Sequence, residues 1–183
     1  MHILDLMENA LEAQASIIFI DICEDTYKQY LAVTIRDNGR GMTREGVKGV
    51  FEPFYTTRKE RPIGLGLALW RQAAESCGGR VWIESSPGKG TLVGAKFQLD
   101  HVDLAPMGDL AGTLAVFLGT SPQMDVVFNY TVNGRKWEFD TRKIRRILGQ
   151  VPLGHPPVIR WMRDYCRENL ARLRRSEEND QPR

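Results

Sequence analysis

The stretch DNGRGM, Asp37–Met42, follows an apolar, β-branched run that ends at Arg36. Gly39 and Gly41 carry no Cβ atom, so they let a backbone come close to a planar ligand. The carboxylate of Asp37 can accept a hydrogen bond from an exocyclic amine. An Asp-Asn-Gly turn is common, but a turn alone does not require the second glycine. The stretch therefore predicts a strand that ends in a ligand-binding turn.

Regular secondary structure is predicted on both sides of this turn from apolar periodicity, β-branched runs and turn residues. The predicted elements are a helix over 2–15, strands over 17–23 and 30–36, a short helix from Thr43, a loop over 56–64, a helix over 65–77, and strands over 80–86 and 91–99. This order predicts an α+β fold, a two-layer α/β sandwich with helices on one face of a mixed, mostly antiparallel sheet.

The character of the sequence changes after residue 100. A linker with Pro106 precedes candidates for a helix over 109–118, strands over 126–132 and 135–139, and helices over 141–148 and 158–174. Asn133-Gly134 between alternating runs is the strongest short signal of a hairpin. We therefore predict a first domain over 1–100, a helix-hairpin-helix extension over 101–175, and a disordered tail over 176–183.

The first predicted helix carries a polar stripe. At 100° per residue, its acidic and amide residues fall within a stripe about 100° wide, opposite the apolar residues. The stripe consists of Asp5, Glu8, Asn9 and Glu12. Such a stripe alone is most often a solvated face, but its position before DNGRGM makes it a candidate for binding or catalysis.

A third block lies at a predicted loop-to-helix junction, where Gly64 and Gly66 alternate with leucines. Free backbone N–H groups at the positive end of a helix suit phosphate. The hydroxyls of Thr56 and Thr57 and the charge of Arg58 or Lys59 add donors. Alone, this block is weak evidence of function, because small residues often start helices.

Together, the blocks resemble the histidine-kinase-like (GHKL) ATPase superfamily, most closely the ATP-binding domain of sensor histidine kinases. LMENALEA (6–13) resembles its N box, DNGRGM its G1 box, FEPFYTTR (51–58) its F box and GLGLALWRQAAESCGG (64–79) its G2 box. SPGKGT (86–91) resembles the late glycine-threonine element before the last strand. The resemblance covers residues 1–100 and implies the Bergerat-type ATP-binding fold.

The resemblance also implies ATP and Mg²⁺ as ligands. By position, the resemblance implies that Asn9 would coordinate Mg²⁺ and that Asp37 would bind the adenine amino group, with Thr91 assisting near the adenine. The adenine pocket would be shaped by Gly39, Gly41 and Met42. The lid would contain Thr56, Thr57 and Arg58, and backbone N–H groups for the phosphates would come from Gly64, Leu65, Gly66 and Leu67. Mg²⁺ spreads the triphosphate charge and orients the γ-phosphoryl group.

The candidate catalytic base departs from the family pattern. ATPase members of the family carry a glutamate one helical turn before the N-box asparagine, where this chain has the shorter Asp5. Glu8 can substitute for it. Family kinases often carry Lys or Arg where this chain has Glu12. These departures leave three functions open: a kinase module acting on a histidine or serine of a partner protein, an ATPase with lid-driven conformational change, or a nucleotide-gated binding module.

The start of the chain also departs from the family. Family domains place a helix and a strand pair before the N box, and sensor kinases add a two-helix phosphoacceptor domain, which we do not expect here. His2, His101 and His155 match no phosphoacceptor motif. Residues 109–148 repeat the missing order, so they are predicted to complete the sheet as a circular permutation would. An independent small domain is the alternative.

Composition and charge limit the kinds of partner and the location that we expect for this protein. A hydrophobic content of 42% is ordinary for a soluble protein, and no apolar run approaches the ~20 residues of a membrane span, so a cytoplasmic location is expected. Residues 135–175 hold twelve Lys and Arg against four Asp and Glu. Such a stretch can bind nucleic acid or an acidic partner, but basic stretches of this kind more often form solvated faces of helices. Three separated cysteines indicate neither a metal motif nor a disulfide framework.

Overall fold

The computed structural model describes residues 3–51 and 66–178, with side chains as far as Arg175. Its elements are α1 (Ile3–Glu12), β1 (Ile17–Asp25), β2 (Tyr30–Asp37), α2 (Arg44–Gly49), α3 (Gly66–Ser76), β3 (Arg80–Ser85), β4 (Thr91–Gln98), α4 (Leu110–Thr120), β5 (Asp125–Val132), β6 (Arg135–Asp140), α5 (Thr141–Leu148) and α6 (Pro156–Glu178). Among the described helices, none is long and apolar enough to cross a membrane.

The six strands form one sheet in the order β3-β4-β2-β1-β5-β6. β1 pairs with β5 in parallel, and the other neighbouring strands are antiparallel. Alternation along β1 directs Ile18, Ile20 and Ile22 into the core. In the neighbouring strand β5, Val126 lies in register with Ile18 and Phe128 with Ile20. Apolar faces of the helices complete this core. The predicted α+β fold, a two-layer sandwich with a mixed, mostly antiparallel sheet, is confirmed.

The C-terminal hairpin lies in the same sheet as the N-terminal strands. β5 runs beside β1 from the pair Ile17–Asp125 to the pair Glu24–Val132. Asn133 and its neighbouring glycine take positive φ values of 48° and 84°, as a tight hairpin turn requires. The structure therefore has the first of the two arrangements that the sequence left open, in which residues 109–148 extend the main sheet.

The last helix is longer at both ends than the sequence predicts. It begins at Pro156 instead of residue 158, because proline in a first helical turn loses only an N–H that has no partner within the helix. It continues to Glu178, so residues 176–178 are helical where a disordered tail was expected. Arg174 anchors this end of the helix by donating to the hydroxyl of Tyr130 at 2.8 Å. Residues 179–183 lie outside the described residues.

Candidate functional site

The DNGRGM turn is bonded to the C-terminal end of α1. The backbone N–H of Arg40 donates to the carbonyl oxygen of Ala13 at 2.8 Å. The side-chain oxygen of Asn38 accepts the backbone N–H groups of Ser16 and Ile17 at 2.9 and 3.1 Å. These bonds hold the end of the helix that carries the polar stripe beside the end of β2, so two of the predicted functional blocks form one unit.

The two glycines of this turn are required because backbone atoms from other parts of the protein lie very close to them. A Cβ atom at Gly39 would lie 2.6 Å from the carbonyl oxygen of Ala13. At Gly41, where φ is +66°, it would lie 2.0 Å from the carbonyl oxygen of Ser86. The sequence predicts that these glycines admit a planar ligand, whereas the space beside each is filled by protein backbone. Their part in shaping an adenine pocket stays a prediction.

Asp37 lies where β2 ends, opposite Thr91 at the start of β4. Its Oδ1 atom accepts the backbone N–H of Gly39 at 2.7 Å, and the backbone N–H of Thr91 also donates to this carboxyl group. Burial raises the pKa of Asp37 above its usual value, and the two backbone hydrogen bonds oppose that rise. The result is an oriented, partly buried acceptor, as recognition of an exocyclic amine requires.

Ser85 belongs to this site and was missed by the sequence analysis. Its Oγ atom accepts the backbone N–H of Met42 at 2.9 Å and donates to the carbonyl oxygen of Gly90 at 2.9 Å. The same atom lies 2.9 Å from Oγ1 of Thr91. One hydroxyl thus ties the G1 turn to the turn before β4. The feature of the sequence that could have identified Ser85 is its position at the end of a predicted strand, directly before the SPGKGT element.

The polar stripe of α1 faces away from the core as predicted. Its partly buried members are Asp5, Glu8 and Asn9, and Glu12 is exposed. The buried residues of α1 are Ile3, Leu6, Met7 and Ala10. Among the described residues, none forms a hydrogen bond or ion pair with the side chain of Glu8. The amide oxygen of Asn9 is a hard donor of the kind that Mg²⁺ prefers, so this residue type fits the predicted metal.

Asp5 lies against the beginning of α3. A Cβ atom at Gly66 would be 3.6 Å from Cβ of Asp5 and 3.9 Å from its Oδ2 atom. Gly66 and Leu67 are the described part of the predicted phosphate-binding stretch, and no acidic residue lies in the first turn of α3. The structure therefore brings the candidate base next to the candidate phosphate-binding helix.

Five predicted site residues cannot be placed. Thr56, Thr57, Arg58, Gly64 and Leu65 lie outside the described residues. The roles predicted for them, in the lid and in the first half of the phosphate-binding stretch, stay predictions. Within residues 3–51 and 66–175, no group of three or more His, Cys, Asp or Glu side chains is arranged to hold a metal ion.

Comparison with known proteins agrees with the arrangement of these blocks. The family described as histidine kinase-, DNA gyrase B-, and HSP90-like ATPase matches residues 2–101, which is more than half of the 183 residues. The chain therefore belongs to this family of ATP-binding domains. The membership predicted from the four boxes and the glycine-threonine element is confirmed.

Within the family, the chain is similar to sensor-type histidine kinases. It is 36% identical over 91 residues to sporulation kinase E of Bacillus subtilis (strain 168), a match that covers 49% of this chain and 12% of that protein. It is 42% identical over 60 residues to sensor histidine kinase ZraS of Klebsiella oxytoca, covering 33% and 13%. The solved catalytic domain of histidine kinase ThkA is 26% identical with a TM-score of 0.41, covering 51% of this chain and 61% of that one. The chain thus spans about an eighth of the length of these two curated relatives.

Proposed function

We propose that this protein binds Mg–ATP and transfers the γ-phosphoryl group to a histidine or serine of a partner protein. The observation that carries the proposal is the carboxyl group of Asp37, which is partly buried at the end of β2 and oriented by the N–H groups of Gly39 and Thr91. An acceptor held in this way discriminates adenine by its amino group. The kinase names of the similar proteins support the transfer reaction.

At the adenine end, Asp37 accepts a hydrogen bond from the exocyclic amine and Thr91 presents its hydroxyl nearby. Ser85 orients that hydroxyl, since the two side-chain oxygens are 2.9 Å apart. We assign Met42 to the same pocket from the family resemblance, and the hydrogen bond of its backbone N–H to Ser85 supports this assignment. Each of these side chains comes from a different element, so nucleotide binding depends on the fold.

At the phosphate end, Gly66 and Leu67 offer backbone N–H groups of the first turn of α3. Asn9 would hold Mg²⁺ through its amide oxygen, and Mg²⁺, when bound, would spread the triphosphate charge and orient the γ-phosphoryl group. Thr56, Thr57 and Arg58 supply further donors from the lid.

The transfer breaks the bond between the γ-phosphorus and the bridging oxygen of ADP and forms a bond to the partner's side-chain nitrogen or oxygen. Asp5 lies beside Gly66 and can accept the proton that a hydroxyl acceptor loses. Aspartate is one methylene shorter than the glutamate of the family's ATPases, which makes it a weaker base for activating water. A protein acceptor depends less on this base, because its side chain can be activated by its own protein.

The test is incubation of the full chain with γ-labelled ATP and a lysate from the source cell. Transfer of label to a protein of the lysate supports the kinase proposal. Release of free phosphate without labelled protein would make the chain an ATPase with lid-driven conformational change. Neither product, with ATP binding intact, would make it a nucleotide-gated binding module. Asp37→Asn serves as the binding-deficient control.

The role of Asp5 has its own test. If the acceptor is a hydroxyl group, we expect Asp5→Ala to remove labelled product while ATP affinity stays within about threefold, because a base acts on the reaction and contributes little to ground-state binding. Glu75→Ala removes an exposed carboxylate of α3 and is the matched control. If Glu8→Ala removes the product and Asp5→Ala does not, the base is Glu8.

A further inference from the structure

The surface of α4 is unusual for a helix that reaches solvent. No charged residue occurs within Leu110–Thr120. Six of its residues are buried, which leaves a second face that includes Gly112, Val116 and Gly119. The side chain of Val116 is 56% exposed. Because helices that are apolar all round are normally covered on every side, this second face indicates a surface that another molecule covers.

This face of α4 forms one wall of a groove of about 570 Å³ against α6. The groove is lined by Gly112, Ala115, Val116 and Gly119 from α4, by Ile159, Arg160, Arg163 and Arg167 from α6, and by Asp109, Gly154 and Pro156 at its ends. The walls therefore differ in chemistry, with small apolar residues on one side and arginines on the other.

The arginines follow helical spacing, so Arg160, Arg163 and Arg167 lie along one side of α6. Arg167 bonds to Asp109 at 3.1 Å and Arg163 to its sequence neighbour Asp164 at 3.0 Å. The side chain of Arg160 forms no hydrogen bond or ion pair with any described residue. The arginine wall thus has positive charge that no described residue neutralises.

Asp109 offsets the charge of Arg167, with which it is paired, and its carboxylate is engaged on two sides. It caps α4 by accepting the backbone N–H of Gly112 at 2.9 Å, and it pairs with Arg167. The cap hydrogen bond and the arginine hold the pKa of Asp109 below its usual value. Asp109 is the one acidic residue among those that line the groove as described.

We propose that this groove binds an amphipathic, acidic helix of a partner protein. The apolar side of that helix lies on Val116 and the glycines of α4, whose small size permits helix axes to approach within about 8–10 Å. Glutamates or aspartates one turn apart then face the arginines of α6. The groove residues lie outside the family-matched residues 2–101, and none of them is a predicted ATP-site residue, so this proposal does not depend on the proposed kinase activity.

The test is selection of a phage-displayed library of random 16-residue peptides on the immobilised full chain without nucleotide. We expect enrichment of peptides that combine an apolar stripe with acidic residues at helical spacing. Their affinity, measured by fluorescence polarisation, should fall at least about tenfold with Val116→Glu and with Arg160→Glu. Ile147→Glu is the control, because Ile147 of α5 is 84% exposed and does not line the groove.

Several results would overturn the proposal. These are no enrichment, enriched peptides without acidic residues, or binding that Val116→Glu leaves unchanged in a variant whose thermal unfolding matches the original chain. Light scattering that shows a dimer broken by Val116→Glu would assign the groove to a second copy of the chain instead. ATP binding is measured separately by calorimetry, so failure here leaves the proposed function untouched.

Discussion

The side-chain oxygens of Ser85 and Thr91 lie 2.9 Å apart, at the end of β3 and the start of β4. Ser85 also accepts the backbone N–H of Met42, so a single hydroxyl links the G1 turn to the last strand pair of the site. A small side chain that the sequence analysis passed over therefore sets the direction of the hydroxyl that the family resemblance assigns to the adenine.

We expect Ser85→Ala to weaken ATP binding about 2- to 10-fold, since one hydrogen bond contributes a net ~0.5–1.5 kcal/mol. Ser85→Thr keeps the hydroxyl and should bind ATP like the original chain. Isothermal titration calorimetry measures both. Equal affinities in all three proteins would show that Ser85 does not position Thr91.

Asp37→Asn should weaken ATP binding by at least about 100-fold, because the partly buried acceptor of the adenine amine is replaced by an amide that can also donate.

The same substitution should increase the stability of the folded protein. Burial raises the pKa of Asp37, so ionisation of this group in the folded protein costs free energy. The cost is absent below the unfolded pKa near 3.8 and grows as pH rises through the folded pKa.

Melting curves over a pH series should therefore show Asp37→Asn unfolding at the same temperature as the original chain at low pH and at a higher temperature near neutrality. Asp140→Asn is the comparison with reversed sign. Arg142 lowers the pKa of Asp140, so this carboxylate stabilises the fold above its unfolded pKa and loses that effect as pH falls through the folded pKa. If the melting temperatures of the two variants, relative to the original chain, change with pH in the same direction, these two pKa directions are wrong.

Gly41→Ala should lower the free energy of unfolding by more than about 2 kcal/mol and weaken ATP binding with it. The added Cβ would lie 2.0 Å from the carbonyl oxygen of Ser86, at a φ of +66°. Gly88→Ala is the matched control, because Gly88 has a φ of +73° and no atom within 4 Å of an added Cβ. Its cost should be about 1 kcal/mol, from the backbone conformation alone. Urea unfolding gives both values, and equal costs would exclude the contact with Ser86.

A chain that ends at Asp100 should not unfold cooperatively, although it contains nearly all of the family-matched region. It would lose the partner of β1 on one side and the buried side chains of Phe128 and Tyr130. In the full chain, Phe128→Ala should cost about 3–5 kcal/mol. Ile147→Ala is the control, because Ile147 is 84% exposed, and it should leave the urea midpoint nearly unchanged. A cooperative transition in the 1–100 chain would show that the first domain folds alone.

Local signals predicted most of the elements. The period of the residues between Ile3 and Ala10 predicted both the helix and its buried side, and Asn133-Gly134 predicted the hairpin, because each pattern acts over a few neighbouring residues. The ends of the helices were predicted less accurately. The sequence predicts that the last helix begins at residue 158, whereas α6 begins at Pro156. Proline disfavours the interior of a helix but is compatible with its first turn, and the chain's packing decides which of these applies.

The sequence by itself determined the family and the positions of the ATP-binding blocks, because the chemistry of adenine and phosphate binding requires particular residue types at short, fixed spacings. Only the tertiary structure decided the rest. It joined β5 to β1 across more than a hundred residues, brought Ser85 to Thr91 and Asp5 to Gly66, and formed the groove between α4 and α6. Pairing and packing between distant segments depend on the whole core, and no short pattern records them. The same holds for the turn DNGRGM: its glycines were evident in the sequence, but the backbone atoms of Ala13 and Ser86 that require them became evident only in the fold.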